Sequence, residues 1–332
     1  MSIRKIIILL FSLLILPALP ALAEESVLLN ASYDVTREFY NEYNPLFIKF
    51  WQGKTGKSVS INQSHGGSSK QARAVIDGLN ADVVTMNQQT DIDILAEKGL
   101  VDKKWRTHFA DNSSPYHSTI VFLVRKGNPL GIKDWDDLIK AGVSPIIPNP
   151  KTSGNGRYSY LGAWGYATAK YGSDAQARDF VGKLFKRVPV LDTGGRGATT
   201  TFVERGIGDV LLTFENEAYL IARKLNSKEF DVVTPPVSIE AEAPVAVVDT
   251  VVDKKGTREA AEAYLKYLWS DEGQRLIAKH YFRPSVAAIL QENRSEFPEL
   301  KLQTVEQIAG DWANAQKKHF SDGGIFDQIY SK

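Results

Sequence analysis

The chain has 332 residues, no cysteine and a formal net charge of +1. The lack of cysteine excludes disulfides, thiol chemistry and thiolate metal sites, and the balanced charge disfavours a nucleic-acid partner, which usually leaves a basic surface. A chain of this length can bury a large core and usually divides into two domains.

Residues 1–23 are typical of a cleaved secretory signal. Arg4 and Lys5 precede an apolar run at 6–16, and Ala21-Leu22-Ala23 provides the small residues of a cleavage site. The run of about 11 residues is shorter than the roughly 20 that a bilayer-spanning helix needs, which disfavours an uncleaved anchor. We therefore expect a soluble periplasmic protein. Loss of Arg4 and Lys5 leaves 38 basic residues against 39 acidic ones, a net charge of about −1.

Strand-like and helical patterns alternate along the chain, which predicts an α/β fold. The predicted strands are short apolar or β-branched runs, at 27–33, 81–86, 118–125, 144–147, 208–214, 230–234 and 245–252. The predicted helices repeat apolar residues three or four positions apart, and they begin near 34, 69, 134, 154, 258 and 270. Asp34 stands where the N-cap of the first helix is expected, so we expect its carboxylate to cap that helix.

Three loops rich in Gly, Ser and Thr lead directly into helices, at 64–69, 151–156 and 192–200. A helix start has unpaired N–H groups and a partial positive charge, and glycine lets a ligand approach the backbone closely. One such loop is usually only a helix cap. Three together predict one anion held by several helix ends. Lys151, Arg157 and Arg196 flank these loops. We expect them to lie behind the groups that contact the anion, without touching it themselves.

Two crossings are expected between two lobes, one near Ser113-Ser114-Pro115 and one near Asp253. They predict a first lobe of residues 24–113 plus 255–332 and a second lobe of residues 114–254. A ligand would then lie in the cleft between the lobes.

Enzyme motifs are weak in this sequence. Gly56-Lys57-Ser58 resembles the end of a phosphate-binding P-loop, but Trp51 occupies the position of its required glycine. The five histidines, His65, His108, His117, His280 and His319, have no metal-binding spacing. The sequence therefore predicts no catalytic residues, no metal and no cofactor.

Five longer strings resemble one family, the periplasmic sulfate- and thiosulfate-binding proteins that serve ABC importers. They lie at 30–34, 63–68, 121–129, 148–154 and 202–210, and the likeness extends over nearly all of the chain after the signal. It implies a type II periplasmic binding protein fold, with two α/β lobes joined by a hinge and the anion in the cleft. It also implies a monomer that delivers sulfate or thiosulfate to membrane permease subunits.

The resemblance further implies the anion contacts. Backbone amides fall at Asp34, Ser68, Gly154, Asn155 and Gly195, and a hydroxyl falls at Ser153. Asn155 stands where the family commonly has glycine, a change that preserves the amide. Phe214 stands where the sulfate-binding branch has a tryptophan indole, and phenylalanine cannot donate a hydrogen bond. Together with 192–202, Phe214-Glu215 looks more like the thiosulfate-binding branch.

Two alternatives stay open from the sequence alone. One is a carrier for another oxyanion, such as molybdate or phosphate. The other is a secreted hydrolase of sulfate or phosphate esters on the same fold, which the lack of a nucleophile–base motif disfavours.

Overall fold

The structure, a computed structural model, describes residues 25–225 and 228–330. The predicted signal at 1–23 lies outside them. Eleven strands occur in the described residues, in chain order β1 Ser26–Tyr33, β2 Val59–Gly66, β3 Val83–Thr85, β4 Tyr116–Arg125, β5 Pro145–Ile146, β6 Val210–Phe214, β7 Phe230–Val233, β8 Val237–Glu242, β9 Val245–Val247, β10 Arg283–Pro284 and β11 Lys301–Gln303.

These strands form two sheets. The first has the order β2-β1-β3-β9, with β1 parallel to both β2 and β3 and with β9 antiparallel. The second has the order β11-β8-β4-β6-β5, and β7 and β10 also pair with β4. We call each sheet, with the helices packed on it, the first and the second lobe. The predicted α/β class is confirmed.

Helices cover both sheets. The α-helices in the described residues are α1 Arg37–Thr55, α2 Ser68–Ile76, α3 Gln89–Glu97, α4 Ala110–Ser113, α5 Gly154–Tyr171, α6 Asp174–Phe185, α7 Gly195–Thr199, α8 Glu215–Leu220, α9 Asp249–Lys255, α10 Arg258–Lys266, α11 Asp271–Lys279, α12 Ala287–Glu292, α13 Val305–Ala309, α14 Trp312–Ala315 and α15 Ile325–Tyr330. None of the helices in 25–225 and 228–330 is long and apolar enough to cross a membrane.

Two local predictions differ from the structure. Residues 245–252 form a strand only at Val245–Val247, and Asp249–Lys255 is helical. The apolar valines favoured a strand, but Asp249 supplies a negative charge at a helix start and Gly256, at φ 68°, ends the helix. The N-cap of the first helical segment is Tyr33, and Asp34 is the first residue of a 3₁₀ turn that leads into α1.

The strand pairing bears on the lobe limits. β9 pairs with β3 in the first sheet, whereas residues up to 254 were predicted in the second lobe. The later strands β10 and β11 pair with β4 and β8 of the second sheet, although 255–332 was predicted in the first lobe. The pairing favours a return of the chain from the second sheet to the first near Ala243, between β8 and β9. The residues after 254 then contribute strands to the second sheet as well. The first crossing, near Ser113, follows a left-handed turn with φ of 54° to 59° at 111–113.

One large apolar cluster spans both sheets. It includes Leu28 and Val83 of the first sheet together with Phe122 and Leu212 of the second. Smaller clusters cover the opposite face of each sheet. The two sheets therefore share one continuous apolar core.

A buried ion pair fastens α8 to the second sheet. Arg283 donates from Nε and Nη2 to Glu215, at 2.7 and 2.8 Å, and the Glu215 side chain is fully buried. Because Glu215 directly follows Phe214, this pair also fixes the end of β6 at the cleft.

Arg283→Met should destabilise the fold by about 3–5 kcal/mol, because it leaves the Glu215 carboxylate buried without its partner. Urea unfolding measures the loss, and the double variant Glu215→Leu/Arg283→Met should regain part of it. Arg275→Met is the matched control, since its pair with Glu292 is exposed and should contribute little to stability. An equally small loss for Arg283→Met would contradict the role of this pair.

Candidate anion-binding site

The three Gly/Ser/Thr loops meet across the cleft. A Cβ built on Gly67 of the first loop would lie 3.3 Å from the carbonyl oxygen of Thr152 and 3.4 Å from that of Thr193. The second and third loops are joined directly, because Thr152 Oγ1 donates to the carbonyl oxygen of Thr193 at 3.0 Å. Glycine at position 67 therefore permits a close approach between the lobes.

Each loop presents the start of a helix. Ser68 begins α2, Gly154 and Asn155 begin α5, and Gly195 begins α7. The first amides of a helix have no acceptor within that helix. Four such N–H groups are thus brought to one place from both lobes, and they are donors suited to an anion. Contact of these residues with an anion stays a prediction.

Ser153 caps α5. Its Oγ accepts a hydrogen bond from the Gly156 amide at 3.3 Å, and the residue is buried. A hydroxyl that accepts one bond keeps its own hydrogen to donate. The side chain is therefore held in place while its O–H stays available to a ligand.

Asp34 bridges the lobes through its side chain. Its Oδ2 accepts from the Arg196 amide in the first turn of α7 at 3.2 Å, and the amides of Asp34 and Val35 in its own 3₁₀ turn also interact with the carboxylate. The expected local capping is therefore accompanied by a contact with the other lobe. A Cβ on Gly194 would lie 2.9 Å from the same oxygen. Burial raises the pKa of Asp34, and the Arg196 amide opposes that rise. The carboxylate is therefore engaged by protein groups, and contact of the Asp34 amide with an anion stays a prediction.

Asn155 is fixed by neighbours on both sides. Its Nδ2 donates to Thr213 Oγ1 at 3.0 Å and its Oδ1 accepts from Ser159 Oγ at 3.3 Å. The side chain is thereby directed toward β6 and α5. Only the Asn155 amide, which a glycine would also supply, is left at the helix start.

Phe214 ends β6 and belongs to an aromatic wall. Its ring centroid lies 6.5 Å from that of Tyr33 and 5.9 Å from that of Tyr158, both edge to face. Tyr33 directly precedes Asp34 in the first lobe, so the wall crosses the cleft beside the predicted anion contacts. The ring offers an apolar surface and no donor.

The flanking cations are held by protein groups. Lys151 Nζ lies 3.0 Å from carboxylate oxygens of Asp322 and Asp327. Arg157 is buried, donates from Nε to the Pro150 carbonyl oxygen at 2.9 Å and stacks over Phe320. Both side chains thus have protein partners, and that they do not contact the anion directly stays a prediction.

Arg196 links the two lobes by charge. Its Nη2 lies 2.9 Å from Glu38 Oε2 on α1 and 3.5 Å from Glu217 Oε2 on α8. Glu217 is fully buried, and Thr199 Oγ1 donates to its Oε1 at 3.0 Å. Burial raises the pKa of Glu217 to about 7, although the guanidinium of Arg196 opposes that rise. The predictions from sequence missed Glu38 and Glu217, since single carboxylates in helical segments carry no motif.

One Ser–His pair lies near the site. Ser32 Oγ and His65 Nδ1 are 2.7 Å apart. Burial lowers the pKa of His65 to about 4, and Arg37 and Arg196 contribute to the decrease. Such a histidine is a weak base at neutral pH, and Ser32 is fully buried within β1. Among the described residues no group of three or more His, Cys, Asp or Glu is arranged to hold a metal ion.

Two α/β lobes whose helix starts converge in a cleft define a solute-binding protein. Residues 31–283 match the family model described as bacterial extracellular solute-binding protein, and the chain belongs to that family. It is 62% identical over 305 residues to the thiosulfate-binding protein of Pseudomonas aeruginosa, with 92% of each chain covered. It is 56% identical over 316 residues to the sulfate-binding protein of Escherichia coli K12, covering 95% of this chain and 96% of that one.

A solved structure agrees with these relatives. The sulfate-binding protein SubI from Mycobacterium tuberculosis H37Rv matches with a TM-score of 0.82 and 33% identity, over 89% of this chain and 100% of that one. The expected two-lobe binding-protein fold is thereby confirmed.

As the pH rises from 5 to 8, the Glu217→Gln variant should lose less stability than the wild type. The folded-state pKa of about 7 lies above the ordinary value of 4.5 for a glutamate, so neutral Glu217 favours the folded state at low pH and this advantage is lost as pH rises through 7. The difference in unfolding free energy between wild type and variant should change by about 2.5 kcal/mol over that range.

Urea unfolding at several pH values measures this difference. Glu259→Gln, at an exposed carboxylate paired with Lys57, is the matched control and should follow the wild-type pH dependence. Parallel pH profiles for wild type and Glu217→Gln would show that Glu217 is ionised in the fold.

Proposed function

We propose that this chain captures sulfate or thiosulfate in its cleft and delivers it to the permease of an ABC importer in the membrane. The observation that carries the proposal is the meeting of three helix-start loops from two lobes at one point, marked by the approach of Gly67 to Thr152 and Thr193. The similarity to named sulfate- and thiosulfate-binding proteins supports it. Export through the signal at 1–23 would place the protein in the periplasm, where it would act as a monomer.

Neutral donors are the chemical basis of binding. Taking a dianion out of water is costly, and hydrogen bonds to a charged acceptor together with helix dipoles replace the lost hydration. Three basic side chains around the loops are bonded to carboxylates or to carbonyl groups, namely Lys151, Arg157 and Arg196. The anion would thus be held by amides and by the Ser153 hydroxyl.

A lining of donors also selects among oxyanions. Phosphate near neutral pH usually keeps a proton, and that proton needs an acceptor. Asp34 is one acceptor at the predicted contacts, and its Oδ2 is already bonded to the Arg196 amide. Against the backbone amides, a protonated phosphate would place a donor against donors, whereas sulfate and thiosulfate would not.

Closure of the lobes would complete the site. The donors at Ser68 and Asp34 belong to the first lobe, and those at Ser153 and Gly195 belong to the second. An anion that bonds to both lobes favours the closed state by its differential affinity. The closed surface is then what a permease would recognise.

Phe214→Trp should shift the preference toward sulfate. An indole N–H at the end of β6 adds a donor, and one hydrogen bond to a charged group is worth about 1.5–3 kcal/mol, or roughly one to two orders of magnitude in affinity. The apolar ring of wild type favours the larger, softer sulfur of thiosulfate. Calorimetric titration of refolded, ligand-free protein with both anions gives the affinity ratio.

Phe214→Leu is the control, because it keeps an apolar wall without adding a donor. An unchanged sulfate-to-thiosulfate ratio in a folded Phe214→Trp protein would contradict the role of this wall. Release of free sulfate from an ester substrate would instead support the hydrolase.

A further inference from the structure

Asn87 lies at the same sheet edge as two of the predicted anion contacts. β1, β2 and β3 are parallel, so their carboxyl ends share one edge of the first sheet. Asp34 follows β1 directly, and Ser68 follows β2 after one intervening residue. Asn87 likewise follows β3 after one intervening residue, which places a third polar residue at the cleft.

Asn87 also touches the second lobe. Its backbone amide donates to Ser68 Oγ at 3.1 Å, which ties it to the start of α2. A Cβ built on Gly154 would lie 1.8 Å from Asn87 Oδ1 and 2.9 Å from Nδ2. The carboxamide therefore rests against the first residue of α5, between the helix starts of the two lobes, and a side chain at position 154 would displace it.

The carboxamide lacks a partner for its oxygen. Asn87 is 6% exposed, and within the described ranges its Oδ1 has no hydrogen-bond partner. A buried amide oxygen without a partner is destabilising. Since no donor holds the oxygen in place, the group can rotate and present either its acceptor or its NH₂ donors to a ligand.

We propose that Asn87 contacts the bound oxyanion and donates to it from Nδ2, in place of the donor that Phe214 cannot supply. This inference rests on the proposed function. A sulfate or thiosulfate dianion only accepts hydrogen bonds, so it selects the orientation with NH₂ toward the cleft. The Asn87 NH₂ group, in the first lobe, would face one oxygen of the anion. The apolar ring of Phe214, in the second lobe, would face the fourth substituent on the central sulfur, which is oxygen in sulfate and sulfur in thiosulfate.

Asn87→Ala should lower the affinity for both anions by about 10- to 100-fold, the effect of one lost hydrogen bond to a charged acceptor. Both anions present an oxygen to Asn87, so the sulfate-to-thiosulfate ratio should stay at the wild-type value. Titration calorimetry with sulfate and thiosulfate on the full, refolded protein measures both quantities. Asn87→Asp, which keeps the shape but adds a negative charge, should bind more weakly still.

Asn30→Ala is the matched control. Asn30 is fully buried in β1, and its side chain is bonded within the first lobe to Tyr264 Oη and Thr85 Oγ1. This variant should lose thermal stability while it keeps wild-type affinity. A general structural defect would weaken binding in both asparagine variants, whereas a direct contact weakens it only at position 87.

The outcomes separate the two proposals. If wild type binds neither sulfur oxyanion, the proposed function fails and the Asn87 contact fails with it. If wild type binds and Asn87→Ala or Asn87→Asp binds as tightly, the contact is overturned and the function stands. An equal loss in Asn87→Ala and Asn30→Ala would also overturn the contact.

Discussion

The close approach of three helix starts across the cleft is the constraint on which this structure depends. Gly67 meets the carbonyl groups of Thr152 and Thr193, and Gly154 meets the carboxamide of Asn87. A side chain at Gly67 would press on both carbonyl groups, and one at Gly154 would displace the carboxamide of Asn87. Helix α2 begins directly after the glycine that follows β2, whereas α5 and α7 follow longer loops at 147–153 and 186–194. An anion that needs many short hydrogen bonds is the ligand such a convergence suits.

Charge around the cleft is balanced within the protein. Arg196 joins Glu38 of the first lobe to Glu217 of the second, and Asp34 is engaged by a backbone amide. These contacts connect the lobes by electrostatics while the predicted anion contacts themselves stay neutral. Neutral dipoles discriminate by the pattern of donors and acceptors, and a free cation would attract any anion. The fold thus separates the charges that join the lobes from the donors that select the ligand.

Periodicity predicted β1, β3, β4 and β6 and the helices that follow the glycine loops, because those segments are buried and strongly patterned. It missed β2, a largely half-exposed edge strand with polar residues at 62–65, and β8, which alternates apolar residues with Ser238, Glu240 and Glu242. It also missed the short strands β10 and β11, which only tertiary pairing defines. The three loops and the flanking cations could be recognised from composition. The contacts of Asn87 could not, because they depend on the parallel pairing of β1 with β3 and on the approach of the second lobe. Glu217 required knowledge of burial.

The most direct test of the central claim is a crystal structure of the protein with selenate, which has the charge and shape of sulfate, using anomalous scattering at the selenium edge. A single selenium peak within hydrogen-bonding range of the amides of Ser68, Gly154 and Gly195 is the predicted result, because only that position lets both lobes donate to one anion. A peak outside the three loops, or none at a selenate concentration that saturates binding in solution, would contradict the account.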